Sequence, residues 1–208
     1  MTHEFDRVLA RYNQRVRDEA VVQHEMPMPT LRARRDEFLL PIGEEVGWFL
    51  RALIVARGAK TIVELGTSYG YSTLFLADAA RVTGGVVHTL DIAADKQAYA
   101  RTQMEHAGLC EFVAWRPGDA LKSLRAIKGP IDFVLVDLWK ELYVPCLEIF
   151  LPKMSDNGVI AADNMLFPAI SRPEAEVYRA AVKSKPELQS MLLPIGSGIE
   201  LSCVWRQT

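Results

Sequence analysis

The sequence predicts an α/β fold built on a doubly wound, mostly parallel sheet, and three observations predict it. They are a strand, glycine turn and helix starting near Thr61, a second short strand ending in an acid, and a regular alternation of apolar runs with helical segments behind it. The first unit reads Thr61-Ile62-Val63-Glu64-Leu65-Gly66-Thr67-Ser68-Tyr69-Gly70-Tyr71-Ser72-Thr73-Leu74-Phe75-Leu76. A β-branched apolar run, a break at two glycines and apolar residues resuming at Leu74 are how a buried strand, a tight turn and a helix look in sequence. Ligands of such sheets bind beyond the carboxyl ends of the strands, so Glu64 to Ser72 is expected to line a site.

Three chemistries share this outline. A dinucleotide fingerprint needs glycine at its second position so that the backbone can close on a pyrophosphate, and Ser68 stands there instead, which argues against nicotinamide or flavin. Gly66-Thr67-Ser68-Tyr69-Gly70 matches the letters of a hydrolase nucleophile elbow, which requires an acid and then a histidine further along. His3, His24, His88 and His106 all precede Asp137 and Asp163, so no triad can be assembled in that order. The third chemistry is recognition of an adenosine carrying an amino-acid tail. Glu64 can pair with the amino group, and Asp91, ending the run Val86 to Asp91 about 20 residues past Gly70, can grip the ribose hydroxyls. Either acid alone is equally well a helix cap; two at matching strand ends favour a nucleoside cofactor. Through Glu64-Leu65-Gly66-Thr67-Ser68-Tyr69-Gly70-Tyr71-Ser72 and Asp91 the chain resembles the class I S-adenosylmethionine-dependent methyltransferases.

A length of 208 residues with 50% hydrophobic content suits one α/β domain, with N-terminal helices and a lid segment over 1–58 and the core over 59–208. A net charge of −2 gives no global attraction for nucleic acid or an acidic membrane, so small-molecule or protein partners are expected. No apolar run approaches the roughly 18 residues of a membrane span, and Glu4 and Asp6 precede no apolar core, so a cytoplasmic protein is expected. Cys110, Cys146 and Cys203 read as reduced buried thiols.

Phe5, Val8, Leu9, Tyr12 and Val16 put a peripheral amphipathic helix over 3–23. Pro27, Pro29 and Pro41 predict irregular chain from His24 to Pro41, able to fold back over the strand ends, and a helix follows over Gly43 to Arg57. Arg32, Arg34 and Arg35, interleaved with Asp36 and Glu37, read as a solvated charged face in preference to a phosphate contact. Past Asp91 a helix is expected over Asp95 to Ala107, a strand over Glu111 to Arg116 and a helix over Asp119 to Ile127. Two further strands, Ile131 to Asp137 and Gly158 to Asn164, flank a crossover helix over Lys140 to Leu151. A helix over Glu174 to Ser184 and a hairpin of Leu188 to Pro194 with Ile199 to Trp205 close the chain, the last strand antiparallel.

Both of those flanking strands end in carboxylates, and parallel neighbours lie about 4.8 Å apart, so Asp137, Asp163 and Asn164 can converge. Three hard oxygen donors suit Mg²⁺, or Mn²⁺ or Ca²⁺, and not zinc. The segment Asp137-Leu138-Trp139-Lys140-Glu141-Leu142-Tyr143 matches the D-x-x-K-x-x-Y pattern of the cation-dependent, catechol O-methyltransferase-like family, and Asp163-Asn164 matches that family's second ligand pair. The resemblance runs from about Leu40 to Arg206. It implies a Rossmann-like, seven-stranded sheet with extra N-terminal helices, a cation on Asp137, Asp163 and Asn164, and Lys140 as general base. It further implies that Leu40, Ile42, Glu64, Gly66, Tyr69, Ser72, Asp91, Gly118, Asp119, Ala120 and Asp137 surround S-adenosylmethionine. Asp119 can serve both as helix cap and adenine contact, and spacing alone leaves Lys140 equally a solvent-facing lysine. Beside a cation, its pKa is expected to be depressed by like charge.

Asp91 replaces a glutamate common in the family, the usual tryptophan and glycine after Asn164 are missing, and Ser197-Gly198 stands where Asp-Gly is common; the last two regions shape the acceptor pocket. The expected activity is methyl transfer to a hydroxyl of a small catechol-like aromatic, without membrane or nucleic-acid partner, and a homodimer is compatible with it. The alternatives are methylation of a hydroxylated nucleoside in tRNA and a cofactor-binding interaction module without turnover.

Overall fold

Short apolar strands whose residues are buried on both faces can satisfy their backbone only by pairing on both sides, and β1 (Thr61–Leu65) does so inside the sheet. In this computed structural model, which describes residues 2–206, β1 is joined by β2 (Val86–Asp91), β3 (Val113–Pro117), β4 (Ile131–Val136), β5 (Met154–Ala162), β6 (Leu188–Leu193) and β7 (Ile199–Val204). The seven strands lie in the order β3-β2-β1-β4-β5-β7-β6. β7 runs antiparallel to both of its neighbours, and the other pairings are parallel, as the Rossmann-like expectation has it.

The helices are α1 (His3–Glu25), α2 (Met28–Arg34), α3 (Glu44–Arg57), α4 (Tyr71–Thr83), α5 (Ala94–His106), α6 (Ala120–Ala126), α7 (Tyr143–Phe150) and α8 (Arg172–Lys183). Alternation along the strands divides two cores. Ile62 and Leu135 face Phe5, Leu50, Ile54 and Phe75 beneath α1, α3 and α4, while Val63, Val134 and Val136 face Leu147, Phe150 and Tyr178 beneath α7 and α8.

Several boundaries differ from expectation for identifiable reasons. The stretch 24–41 is not irregular throughout: α2 and a 3₁₀ turn over Arg35–Glu37 occupy it. Pro27 caps α2 and Pro29 lies in its first turn, where a missing N–H costs no hydrogen bond. β3 starts two residues late because Cys110–Phe112 forms a 3₁₀ turn, and the crossover helix starts at Tyr143 because Lys140–Leu142 does the same. β5 starts four residues early, at Met154, with a register irregularity against β4 between Ile131 and Phe133.

α1 is not peripheral. Phe5, Val8 and Tyr12 are buried, Phe5 meets Phe75 edge-on at 5.7 Å, and the Tyr12 hydroxyl donates to the Tyr69 carbonyl at 2.6 Å. Among the described residues, no helix is long and apolar enough to cross a membrane.

Beneath the β1–α4 turn, Glu64 is fully buried. Its carboxylate accepts from Ser72 Oγ at 2.6 Å, Thr73 Oγ1 at 2.6 Å and Thr89 Oγ1 at 2.5 Å. Burial pushes its pKa from 4.5 up to about 7 against the pull of these hydroxyls. With the folded value above the unfolded one, the group favours the fold fully below pH 4.5 and loses that contribution as pH rises through 7. The full difference is on the order of 3 kcal/mol. Thermal melts of the ligand-free protein from pH 5 to 8.5 should therefore show falling stability, and Glu64→Gln should flatten the slope and melt higher than wild type at the alkaline end. Parallel curves for the two proteins would mean that Glu64 stays ionised throughout.

Candidate active site

The carboxyl ends of the strands are tied into one row by backbone bonds that extend the ladder past each strand. Gly118 N donates to Asp91 O at 2.8 Å, Gly66 N to Leu90 O at 2.9 Å, Asp137 N to Leu65 O at 2.9 Å and Asp163 N to Val136 O at 3.0 Å. The row needs a glycine at position 66. Gly66 has φ +103°, and a Cβ there would lie 2.0 Å from the Asp137 carbonyl oxygen. Gly70, at φ +87°, starts α4, and a Cβ there would meet Ala100 Cβ at 2.6 Å.

On the β1–β2 side the turn offers polar groups around an open glycine loop. Asp91 Oδ2 accepts from Ser68 N at 2.7 Å and Oδ1 from Ala93 N at 2.8 Å, which leaves lone pairs on both oxygens for further donors. Ser68 Oγ is buried without a partner. That orphaned hydroxyl and the spare acceptor capacity of Asp91 fit the hydroxyls of a ribose. Glu64 stands lower than the sequence suggested, with no exposed surface, and it holds Ser72 from beneath. Thr73 and Thr89 were not singled out from sequence, although Thr89 is the register partner of Glu64 on β2 and a period-of-two count would have found it.

Asp119 is exposed and caps α6 by accepting from Lys122 N at 2.7 Å, so the capping role is realised, with Gly118 and Ala120 on either side of it. Tyr69 lies under the N-terminal segment, with the Arg15 guanidinium 4.0 Å from its ring centroid and its hydroxyl donating to the Glu37 carbonyl at 3.2 Å. Leu40, at φ +47°, and buried Ile42 follow on the same segment, which Glu19 pins by accepting from Leu39 N at 2.7 Å.

At the β4–β5 side, Asp137 and Asp163 follow adjacent strands. Asp163 is buried, and its Oδ1 accepts from Asn164 N at 2.6 Å; Asn164 itself has φ +59°, a conformation asparagine tolerates. Burial, then the negative charge of Asp137, pushes Asp163 up to about 8. Burial also raises Asp137, opposed by the positive charges of Lys140 and Arg35. Two such acids favour a shared proton or a bound cation. Among the described residues, no three His, Cys, Asp or Glu side chains form a metal-binding group, and the donors expected from sequence are two carboxylates and the Asn164 amide. Oxygen donors of this kind fit Mg²⁺, Mn²⁺ or Ca²⁺, with the remaining positions left to water or acceptor.

Lys140 is not a solvent-facing lysine. It opens a 3₁₀ turn, is half-buried, and its Nζ donates to the Asp163 carbonyl at 3.0 Å and to the Tyr143 hydroxyl at 2.5 Å. Tyr143 is fully buried and donates in turn to the Asp163 carbonyl at 3.2 Å; burial holds its hydroxyl protonated. The Lys140 pKa falls to about 8, first through burial and with help from Arg35, against the opposing pull of Asp137 and Asp163. Burial is thus the leading cause of the lowered amine pKa.

Comparisons with known proteins bear on the family and the fold. The model of a family described as O-methyltransferase matches residues 16–204. An O-methyltransferase, ankF, of Aspergillus thermomutatus is 34% identical over 182 residues, covering 73% of this chain and 74% of the relative. A catechol O-methyltransferase of Mycobacterium tuberculosis is 31% identical over 153 residues, covering 72% and 69%. A crystal structure of an O-methyltransferase from Bacillus cereus in complex with SAH superposes with a TM-score of 0.75 at 24% identity, over 98% of this chain and 91% of that one, and supports the fold. With a family model spanning nearly the whole sequence and the strand-end acids aligned above the glycine turn, the chain belongs to the O-methyltransferase family.

Proposed function

We propose that the protein transfers a methyl group from S-adenosylmethionine to a hydroxyl of a small catechol-like aromatic, with a divalent cation on Asp137, Asp163 and Asn164. The observation that carries this reading is the placement of a half-buried amine, Lys140, whose Nζ lies 3.0 Å from the Asp163 carbonyl oxygen, beside two acids at adjacent strand ends. The catechol in the name of the Mycobacterium tuberculosis relative supports the acceptor class. The net charge of −2 gives no support to a nucleic-acid acceptor.

The reaction is an in-line displacement, which requires an ionised oxygen held about 3 Å from the methyl carbon and aligned with it. A bound divalent cation lowers the pKa of a coordinated hydroxyl and orients it. Lys140 Nζ, with a pKa near 8, is neutral in a usable fraction at physiological pH and accepts the hydroxyl proton. Its bonds to the Asp163 carbonyl and the Tyr143 hydroxyl aim the amine and keep it from pairing with either carboxylate. Asp91 and the Ser68 hydroxyl receive the ribose, and Glu64 keeps Ser72 and the turn in place from below.

Three experiments test this reading. Asp91→Ala should weaken binding of S-adenosylhomocysteine by about 1.5 to 3 kcal/mol in calorimetry, the worth of a charge-assisted hydrogen bond. Part of any loss of melting temperature will come from Ser68 N and Ala93 N, so Asp91→Asn serves as the control. Unchanged affinity in folded Asp91→Ala removes the ribose assignment.

Chelation with EDTA should abolish methylation of catechols, excess Mg²⁺ should restore it, and Asp163→Asn should be inactive with S-adenosylhomocysteine binding largely kept. Full turnover in excess chelator would leave the two acids a structural role.

Lys140→Ala should lower kcat by about 10²- to 10⁴-fold with substrate KM little changed. Lys140→Arg should not restore it, because guanidinium stays protonated. Wild-type kcat in Lys140→Ala from pH 6 to 9, with methyl transfer rate-limiting, would make the amine dispensable.

A further inference from the structure

The pairing of β5 with β7 ends at Ala162 and Glu200, yet the two chains stay bonded beyond it. Met165 N donates to the Gly198 carbonyl at 3.0 Å, and the Ser197 carbonyl accepts from Leu166 N at 2.9 Å and from Phe167 N at 3.1 Å. The turn before β7 closes on itself through Gly198 N and the Ile195 carbonyl at 2.8 Å. Residues 165–167 directly follow Asp163 and Asn164, so the chain leaving the acidic end of β5 takes its path from a turn distant in sequence.

Two glycines make this fit. Gly198 has φ +88°, and a Cβ there would lie 2.6 Å from Leu166 Cγ and 2.9 Å from Leu166 N. Gly196 has φ +53°, and a Cβ there would lie 2.5 Å from Val46 Cγ2, on a buried residue of α3. The turn therefore rests on α3 on one side and grips the chain after Asn164 on the other, and neither contact admits a side chain unless a partner moves. Asn164 lies between fixed points. Its own N–H goes to Asp163 Oδ1 at 2.6 Å, the next N–H goes to the Gly198 carbonyl, and its φ of +59° is a conformation that persists where its surroundings hold it.

We propose that Gly198 is a positioning residue for the cation site: by letting the turn close on Leu166 it fixes the backbone of Asn164 and so presents the Asn164 amide beside Asp137 and Asp163. This rests on the reading of Asn164 as a cation donor given above.

The test is a double-mutant cycle read in Mn²⁺ affinity, measured by water proton relaxation on protein loaded with S-adenosylhomocysteine, so that no turnover is needed. Gly198→Ala should lower Mn²⁺ affinity roughly 10- to 100-fold, the usual effect of disturbing a group that orients a metal ligand, with S-adenosylhomocysteine affinity kept. Asn164→Ala should also lower it, and in that background Gly198→Ala should cost less than about twofold more. A glycine needed only for folding would lower the melting temperature and change Mn²⁺ affinity by the same factor in both backgrounds. Where Gly198→Ala does not fold, Gly196→Ala, which strikes Val46 and not Leu166, should show the same non-additivity. Unchanged Mn²⁺ affinity in the glycine variant, equal factors in the two backgrounds, or an equal loss of Mn²⁺ and S-adenosylhomocysteine binding would each overturn the proposal. Wild type that binds no Mn²⁺, or Asn164→Ala that binds it like wild type, would remove the cation reading and this proposal with it. Non-additivity in a protein that methylates no catechol would uphold Gly198 and refute the acceptor class alone.

Discussion

The closeness of two backbones at Gly66 is the constraint on which the rest of the site depends. β4 can carry its chain past the end of β1 only because nothing projects from residue 66, and this lets Asp137 N reach Leu65 O. From there the ladder continues to Asp163, and on the other side Gly66 N reaches Leu90 O and so fixes the end of β2 beside Asp91. Any side chain at this point would force β4 away from β1 and separate Asp137 and Asp163 from the β1–α4 turn and Asp91. One missing Cβ thus sets the distance between two halves of one site.

Around that row the protein holds charges where they are disfavoured. Glu64, Asp137, Asp163 and Lys140 are all displaced from their ordinary pKa values, and burial is the leading cause for each. Desolvation of this kind weakens a fold, and here it is offset by two apolar cores in which the β4 residues Phe133 to Val136 are entirely buried. Strained and desolvated groups of this sort concentrate where chemistry takes place. The hydroxyls of Ser72, Thr73 and Thr89 around Glu64, and of Tyr143 beside Lys140, keep the penalty bounded for these two groups by giving each a donor or acceptor.

The N-terminal segment belongs to this machinery. α1 buries Phe5 and Tyr12 in the same core as α4, and its Arg15 and Glu19 hold Tyr69 and Leu39. Helix packing therefore places the turn over Arg35–Glu37 above the strand ends, and the ties from Lys96 and Tyr69 keep it there.

Much was legible in the sequence because it depends on local pattern. The strand ends at Glu64, Asp91 and Asp137 show as apolar runs stopped by an acid, the turn shows as two glycines, and the pairing of Asp137 with Asp163-Asn164 follows from the short spacing of parallel strands. Tertiary structure decided the remainder. Whether α1 is a surface helix or part of the core depends on Phe75, seventy residues away in sequence from Phe5. Which of three neighbouring arginines is half-buried depends on how Lys96 and Tyr69 tie the turn over Arg35–Glu37, and no periodicity distinguishes Arg34 from Arg35. The lowered pKa of Lys140 is expected from sequence only beside a cation, and the burial that lowers it in a 3₁₀ turn against Tyr143 and Asp163 is a tertiary property. Periodicity and turn chemistry are read from neighbours in the chain, but desolvation and charge at a point are sums over everything that folds around it, and those sums exist only in three dimensions.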